Sequence, residues 1–147
     1  LYKWMNIGDT GEFYKDFYKD FNEKRFEELL KFMKLEKNMK VEELSKGMHE
    51  KLNLSLVLSR NAKLYVLDEP IAGVDPVARD QILDAIINNY NEESSMLITT
   101  HLVRDMENLF DEVVFLKEGN IVLQGDAEAL REEHGKQIDD IYKEIFG

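Results

Sequence analysis

The stretch LYVLDEP, residues 64 to 70, sets Asp68 and Glu69 side by side at the end of an apolar run. Asp and Glu are poor strand residues, and adjacent negative charges in a partly desolvated place repel each other unless a cation arrives. At the C-terminal end of a parallel strand a side chain reaches the crevice where ligands bind, and a carboxylate there commonly holds Mg²⁺ through water beside substrate phosphates. Its neighbour can take a proton from an attacking water. Two acids thus serve two roles.

Three further stretches have the residue types to meet a phosphate or a proton. In LSKGM, residues 44 to 48, Ser45 can cap a helix while its hydroxyl and the following backbone N–H groups face an anion, and Gly47 permits close approach. In AGVDP, residues 72 to 76, Asp75 caps a helix with Pro76 at its first position. In TTH, residues 99 to 101, a histidine follows a second apolar run and is expected at the same sheet edge as the acids. Taken singly, a serine cap, a tight turn and a solvated histidine are ordinary.

Periodicity supplies the elements that must carry these side chains. Residues 64 to 67 and 96 to 99 read as short strands. A helix over about 46 to 60 carries Met48, Leu52, Leu56 and Val57 inward, and one over about 77 to 90 carries Ile82, Leu83, Ile86 and Ile87. Strands separated by helices indicate a parallel sheet covered on both faces. After a helix near 102 to 109, residues 111 to 125 read as a hairpin turning at Glu118, Gly119 and Asn120, and residues 127 to 147 as a helical tail. Residues 1 to 43 read as a helical layer. There FYKD repeats at an interval of four, so that Phe13, Phe17 and Phe21 share one helical face for core packing, and Asp9 and Glu12 have capping-box spacing. A second helix from about Glu23 points Phe26, Leu29, Leu30 and Met33 inward.

Composition bounds the rest. With 147 residues and 44% apolar content the chain is about one domain's worth of material with a real core. No apolar run approaches the roughly eighteen residues of a membrane span, and no charged-then-apolar leader opens the sequence, so a soluble chain is expected. The absence of cysteine excludes a disulfide scaffold and a thiolate metal site. A net charge of −11 gives no support to a broad nucleic-acid surface.

The order of the motifs carries a family resemblance. LSKGM, an interval of 23 residues from Ser45 to Asp68, LDEP, GVD and a strand running into His101 resemble the C-terminal half of an ABC-type nucleotide-binding domain. LSKGM resembles the family's signature motif, LYVLDEP its Walker B with the catalytic glutamate, AGVD its D-loop and His101 its switch histidine. The resemblance implies an α/β fold: a partial P-loop NTPase-like parallel sheet with flanking helices, plus the end of an α-helical subdomain. It divides the chain into the end of the helical subdomain at 1–43, the ATPase core at 44–126 and the tail at 127–147. It implies ATP and Mg²⁺ as cofactors, with Asp68 holding the metal, Glu69 as general base and His101 contacting the γ-phosphate. Ser45, Lys46 and Gly47 would contact ATP held by a second nucleotide-binding subunit, in a homo- or heterodimer, and Asp75 would communicate across that interface. The other partner would be a transmembrane permease, probed by the helical layer, with the subunit peripheral at the cytoplasmic face of the membrane. SKGM together with FYKDFNEKRFEELL looks most like the ATPases of ABC exporters.

The sequence also departs from that pattern. Lys46 and Met48 replace the signature's first Gly and its Gln; Lys46 either adds positive charge near the phosphates or is solvated. Ile71 stands where Thr or Ser is usual, and Val74 where Leu is. A phosphate-cradling GxxxxGK[ST] loop does not occur, nor do the family's Q-loop glutamine and adenine-stacking aromatic. With Leu1 in place of Met, the expectation is a chain that begins inside a longer polypeptide, just past the Q-loop, and has no ATPase activity by itself. The C-terminal lobe of an SMC-type ATPase is the rival among enzymes, and a degenerate half-domain acting as a binding module the rival outside them.

Overall fold

The computed structural model describes residues 1–89 and 91–147; the last residue of the helix expected over 77 to 90, Tyr90, lies outside them. By packing, the described residues form two compact units, Leu1–Thr100 and His101–Gly147.

In the first unit the helices α1 (Ile7–Phe17), α2 (Glu23–Met33), α3 (Lys46–Leu58) and α4 (Pro76–Asn89) accompany the parallel strands β1 (Leu64–Asp68) and β2 (Ser95–Thr99). Each helix starts on a polar cap. Asn22 accepts from the Arg25 N–H at 3.0 Å, Ser45 from Met48 at 3.2 Å and Asp75 from Ala78 at 3.0 Å. Helix α2 buries Phe26, Leu29, Leu30 and Met33, as its spacing predicts, and stops where Lys34 turns left-handed at φ 57°. Helix α3 is enclosed on more sides than its pattern suggests, because α1, α2 and α4 all pack on it. Gly47, Leu54, Ser55 and Leu58 are buried along with Leu52 and Leu56, while Met48 and Val57 are only half-buried.

The start of the chain differs from the sequence reading. The capping box is Asn6 with Asp9, one turn before the Asp9 and Glu12 pair. Helix α1 buries Ile7, Thr10 and Gly11, so its aromatic face points largely outward: Phe13 and Phe17 meet tilted, with ring centroids 4.6 Å apart, and Phe17 is mostly exposed. Phe21 lies beyond the helix, since Tyr18 is already extended, and it packs 5.6 Å from Phe26.

Close packing of α1 on α2 yields a stability test. A Cβ at Gly11 would sit 2.5 Å from Cε1 and 2.9 Å from Cδ1 of Phe26, a ring that is itself in the core. Alanine is a better helix former than glycine by about 1 kcal/mol, so without that overlap Gly11→Ala would stabilise the chain. Overpacking costs about 1–3 kcal/mol or somewhat more. The expected net result in denaturant unfolding is a loss of about 1–2 kcal/mol, and a stabilised variant would contradict the packing described.

Arg60, past the end of α3, ties the helical layer to β1. Its guanidinium donates to both carboxylate oxygens of Asp20 at 3.1–3.3 Å and lies 3.8 Å from the Tyr18 ring centroid, while its carbonyl accepts from the Tyr65 hydroxyl at 2.5 Å. Among the described residues the β1–β2 sheet is covered on one face, where double cover was expected: Tyr65 and Leu67 are buried, whereas Leu64, Val66 and Leu97 are more than half exposed.

The second unit contains α5 (Val103–Met106), a 3-10 turn at Glu107–Leu109, the antiparallel hairpin β3 (Glu112–Lys117) and β4 (Asn120–Asp126), and helices α6 (Ala127–His134) and α7 (Ile138–Phe146). Val103, Val113, Phe115, Ala127, Leu130, Ile138 and Ile141 form its core. Among the described residues no helix is long and apolar enough to cross a membrane.

Candidate functional site

The acids stand at the end of β1 because the parallel register brings that end level with the end of β2, pairing Asp68 with Thr99. Thr99 Oγ1 donates to Asp68 Oδ1, and the next residue, Thr100, donates from Oγ1 to Glu69 Oε2 at 3.1 Å. The Glu69 N–H donates to the Thr99 carbonyl at 2.8 Å. Beyond Asp68 the backbone reverses. Glu69 has φ 46°, in the left-handed region, where a non-glycine residue costs about 1 kcal/mol. Two tight turns follow, closed by Ala72 N–H to the Glu69 carbonyl and Val74 N–H to the Ile71 carbonyl, each at 3.3 Å, with Ile71 fully buried as their anchor. Asp68 is exposed and Glu69 half-buried, so both acids face solvent access while one oxygen of each accepts a hydroxyl.

A second group forms where α3 and α4 begin. Ser45 caps α3, and Gly47 is buried so tightly against α4 that a Cβ would stand 3.1 Å from Ala78 Cβ and 3.3 Å from Asp75 Oδ2. Asp75 therefore has one oxygen on its own helix cap and the other facing the Gly47 backbone. The Lys46 ammonium lies over Gly73, whose φ of 66° and missing side chain make room for it. One turn further along α3, burial and the nearby Lys34 push the Lys51 ammonium below the ordinary lysine range, opposed by Asp75. Ser45, Lys46, Gly47 and Asp75 are thus gathered, and Asp68 and Glu69 are gathered with the two threonines. His101 is exposed and opens the second unit.

The threonines are what sequence reasoning missed. TTH was legible as the end of a strand, but the signal that two hydroxyls meet two acids lies in the equal length of β1 and β2, which only pairing in register exposes. The Lys46 contact with Gly73 joins residues 27 positions apart by numbering (73 − 46) and had no local signal.

The donor set fits a hard divalent cation. Asp68 and Glu69 present carboxylate oxygens, the ligand type Mg²⁺ takes, and among the described residues no cluster of three or more His, Cys, Asp or Glu could enclose a metal. Mg²⁺ keeps several waters and is bound through one or two carboxylates plus phosphates. The sequence GxxxxGK[ST], which cradles phosphates, does not occur in these 147 residues.

A family model described as "AAA domain, putative AbiEii toxin, Type IV TA system" matches residues 6–103. The chain is similar to the ABC-type transporter ATP-binding protein EcsA of Bacillus subtilis (strain 168), with 32% identity over 132 residues, covering 86% of this chain and 53% of that protein. It is also similar to the Nod factor export ATP-binding protein I of Mesorhizobium japonicum, with 35% identity over 117 residues, covering 78% of this chain and 34% of that one. Among solved structures, the ATP binding subunit of an ABC transporter matches over 100% of this chain and 65% of its own with a TM-score of 0.84 at 24% identity, a likeness of fold. A nucleotide-free ATP-binding cassette from an ABC transporter matches over 77% of this chain and 46% of its own, with a TM-score of 0.64 at 26% identity. The chain therefore spans about half, or less, of the length of these curated relatives.

Proposed function

Since the chain belongs to the AAA-domain family and is of the ABC transporter ATP-binding type, we propose that it supplies the metal-binding, base and signature residues of an ATPase subunit that drives a membrane permease. The observation that carries this reading is the pair of acids at the end of a parallel strand, each held by its own threonine hydroxyl. Asp68 would hold Mg²⁺, which would supply neutralisation of phosphate charge there. Glu69, whose Oε2 accepts from Thr100 Oγ1, orients a water and takes its proton. His101 contacts the γ-phosphate. Ser45, Lys46 and Gly47 bind the nucleotide of a second subunit, and Asp75, placed between the Gly47 backbone and the start of α4, passes the arrival of that nucleotide to its own subunit. By role, residues 1–43 belong to the helical subdomain, 44–126 to the ATPase core and 127–147 to a tail. The exposed aromatics of α1, Phe17 foremost, suit contact with a permease at the cytoplasmic face of the membrane. The name of the Nod factor export relative and the SKGM signature support an exporter.

Such a site requires a phosphate-cradling GxxxxGK[ST] loop, and these 147 residues do not contain that sequence. The 147-residue chain is therefore expected to bind Mg-ATP very weakly and to leave it intact, because the missing nest and lysine supply most of the phosphate affinity. Titration calorimetry is the check, and micromolar affinity in the isolated chain would refute this division of the site.

A further inference from the structure

The second unit holds a buried carboxylate that the chemistry above does not use. Glu107 is 9% exposed, and its Oε2 accepts from the backbone N–H groups of Ile138 at 2.8 Å and Asp139 at 3.4 Å. These are the first N–H groups of α7, whose own N-cap residue, Gln137, offers no side-chain bond. A buried carboxylate is costly unless its charge is met, and the positive end of a nine-residue helix meets it. The far end of α7 is matched in the opposite sense: Lys117 donates from Nζ to the Ile145 carbonyl at 2.9 Å. Between the two ends Tyr142 and Phe146 pack edge-on against Phe115, with ring centroids 5.9 and 6.1 Å away. Helix α6 joins the same anchor, because Arg131 donates to the Glu107 carbonyl at 2.8 Å.

What these contacts fasten is the segment that follows His101. Helix α5 has four residues and begins two positions after the histidine. A helix so short has no stability of its own, so its place is set by what packs on it. Val103 contributes to the core shared with Ile138 and Ile141, and Glu107 follows directly on α5.

We propose that Glu107 is a positioning residue for His101: by clamping the N-terminus of α7 it fixes α5, and with it the histidine at the head of that segment. The proposal rests on the γ-phosphate contact assigned to His101 above.

The test uses the complete subunit with Glu107→Ala, Glu107→Gln, Glu107→Asp, His101→Ala and the pairs with His101→Ala. Glu107→Ala is expected to lower kcat about tenfold or more with little change in KM for ATP, the signature of a displaced group that binds the transition state. Glu107→Gln keeps an acceptor oxygen and should recover most of the loss. In the His101→Ala background Glu107→Ala should cost nothing further, since the lost geometry no longer matters. Hydrogen exchange at Ile138 and Asp139 should quicken in Glu107→Ala. Should the alanine variant fail to fold, Glu107→Asp, which draws the carboxylate back by one methylene, is read in the same way. An unchanged kcat, a loss confined to KM, or an equal loss in both backgrounds would overturn the clamp as a positioning device. A wild-type subunit without ATPase activity, or a His101→Ala variant with full activity, would instead remove the role of His101 and the proposal with it.

Discussion

In the complete subunit, Glu69→Gln is expected to abolish ATP turnover while ATP stays bound. A positioned general base is worth about a hundredfold to ten-thousandfold in rate, and glutamine loses the base without losing shape. Its amide oxygen can still accept from Thr100 Oγ1, which Glu69 Oε2 does at 3.1 Å. Both residues pay the same backbone cost at φ 46°, so the comparison isolates the chemistry. Asp68→Asn should behave differently, raising the Mg²⁺ concentration needed for half-maximal rate, because it weakens the metal's ligand and disturbs the bond from Thr99. Single-turnover hydrolysis with a nucleotide-retention assay separates the two. A Glu69→Gln subunit that keeps kcat within about tenfold of wild type would remove the base from Glu69.

The second large effect is expected in mixed dimers. Ser45 is exposed at the cap of α3, so Ser45→Arg leaves the core alone, costs a cap bond of about 1 kcal/mol, and puts a bulky side chain where a partner's nucleotide would dock. With Ser45→Arg in one subunit and Glu69→Gln in the other, both lesions fall in one composite site and the second site is whole. With both changes in one subunit, each composite site carries a lesion. The first arrangement should hydrolyse ATP at the rate of one intact site and the second hardly at all. Equal residual rates would mean that the signature does not work in trans, or that one site cannot fire without the other.

What the sequence made legible was local chemistry. Asp68 and Glu69 after an apolar run, Ser45 and Asp75 as caps and Pro76 at a helix start need only near neighbours to be read, and α2 follows its apolar spacing throughout. Where two local rules overlapped, packing chose between them. Asn6 with Asp9 and Asp9 with Glu12 are both three residues apart, and the first pair caps the helix that buries Ile7, Thr10 and Gly11. The FYKD repeat gave Phe21 a helical address, yet the chain turns at Tyr18 to bring Asn22 to the head of α2. Long-range partners were beyond reach in kind: Thr99 for Asp68, Gly73 under Lys46 and Glu107 at the head of α7 are separated in sequence by many residues and meet only through tertiary packing.

The two threonines also make the acid pair a one-register device. Successive strand residues alternate faces, so sliding β2 by one position along β1 would turn Thr99 to the opposite side and misalign the Thr99 carbonyl that receives the Glu69 N–H. No intermediate offset keeps half of the arrangement, because the ladder permits only whole steps of about 3.3 Å. Both acids therefore depend on the same β1–β2 register for their threonine partners.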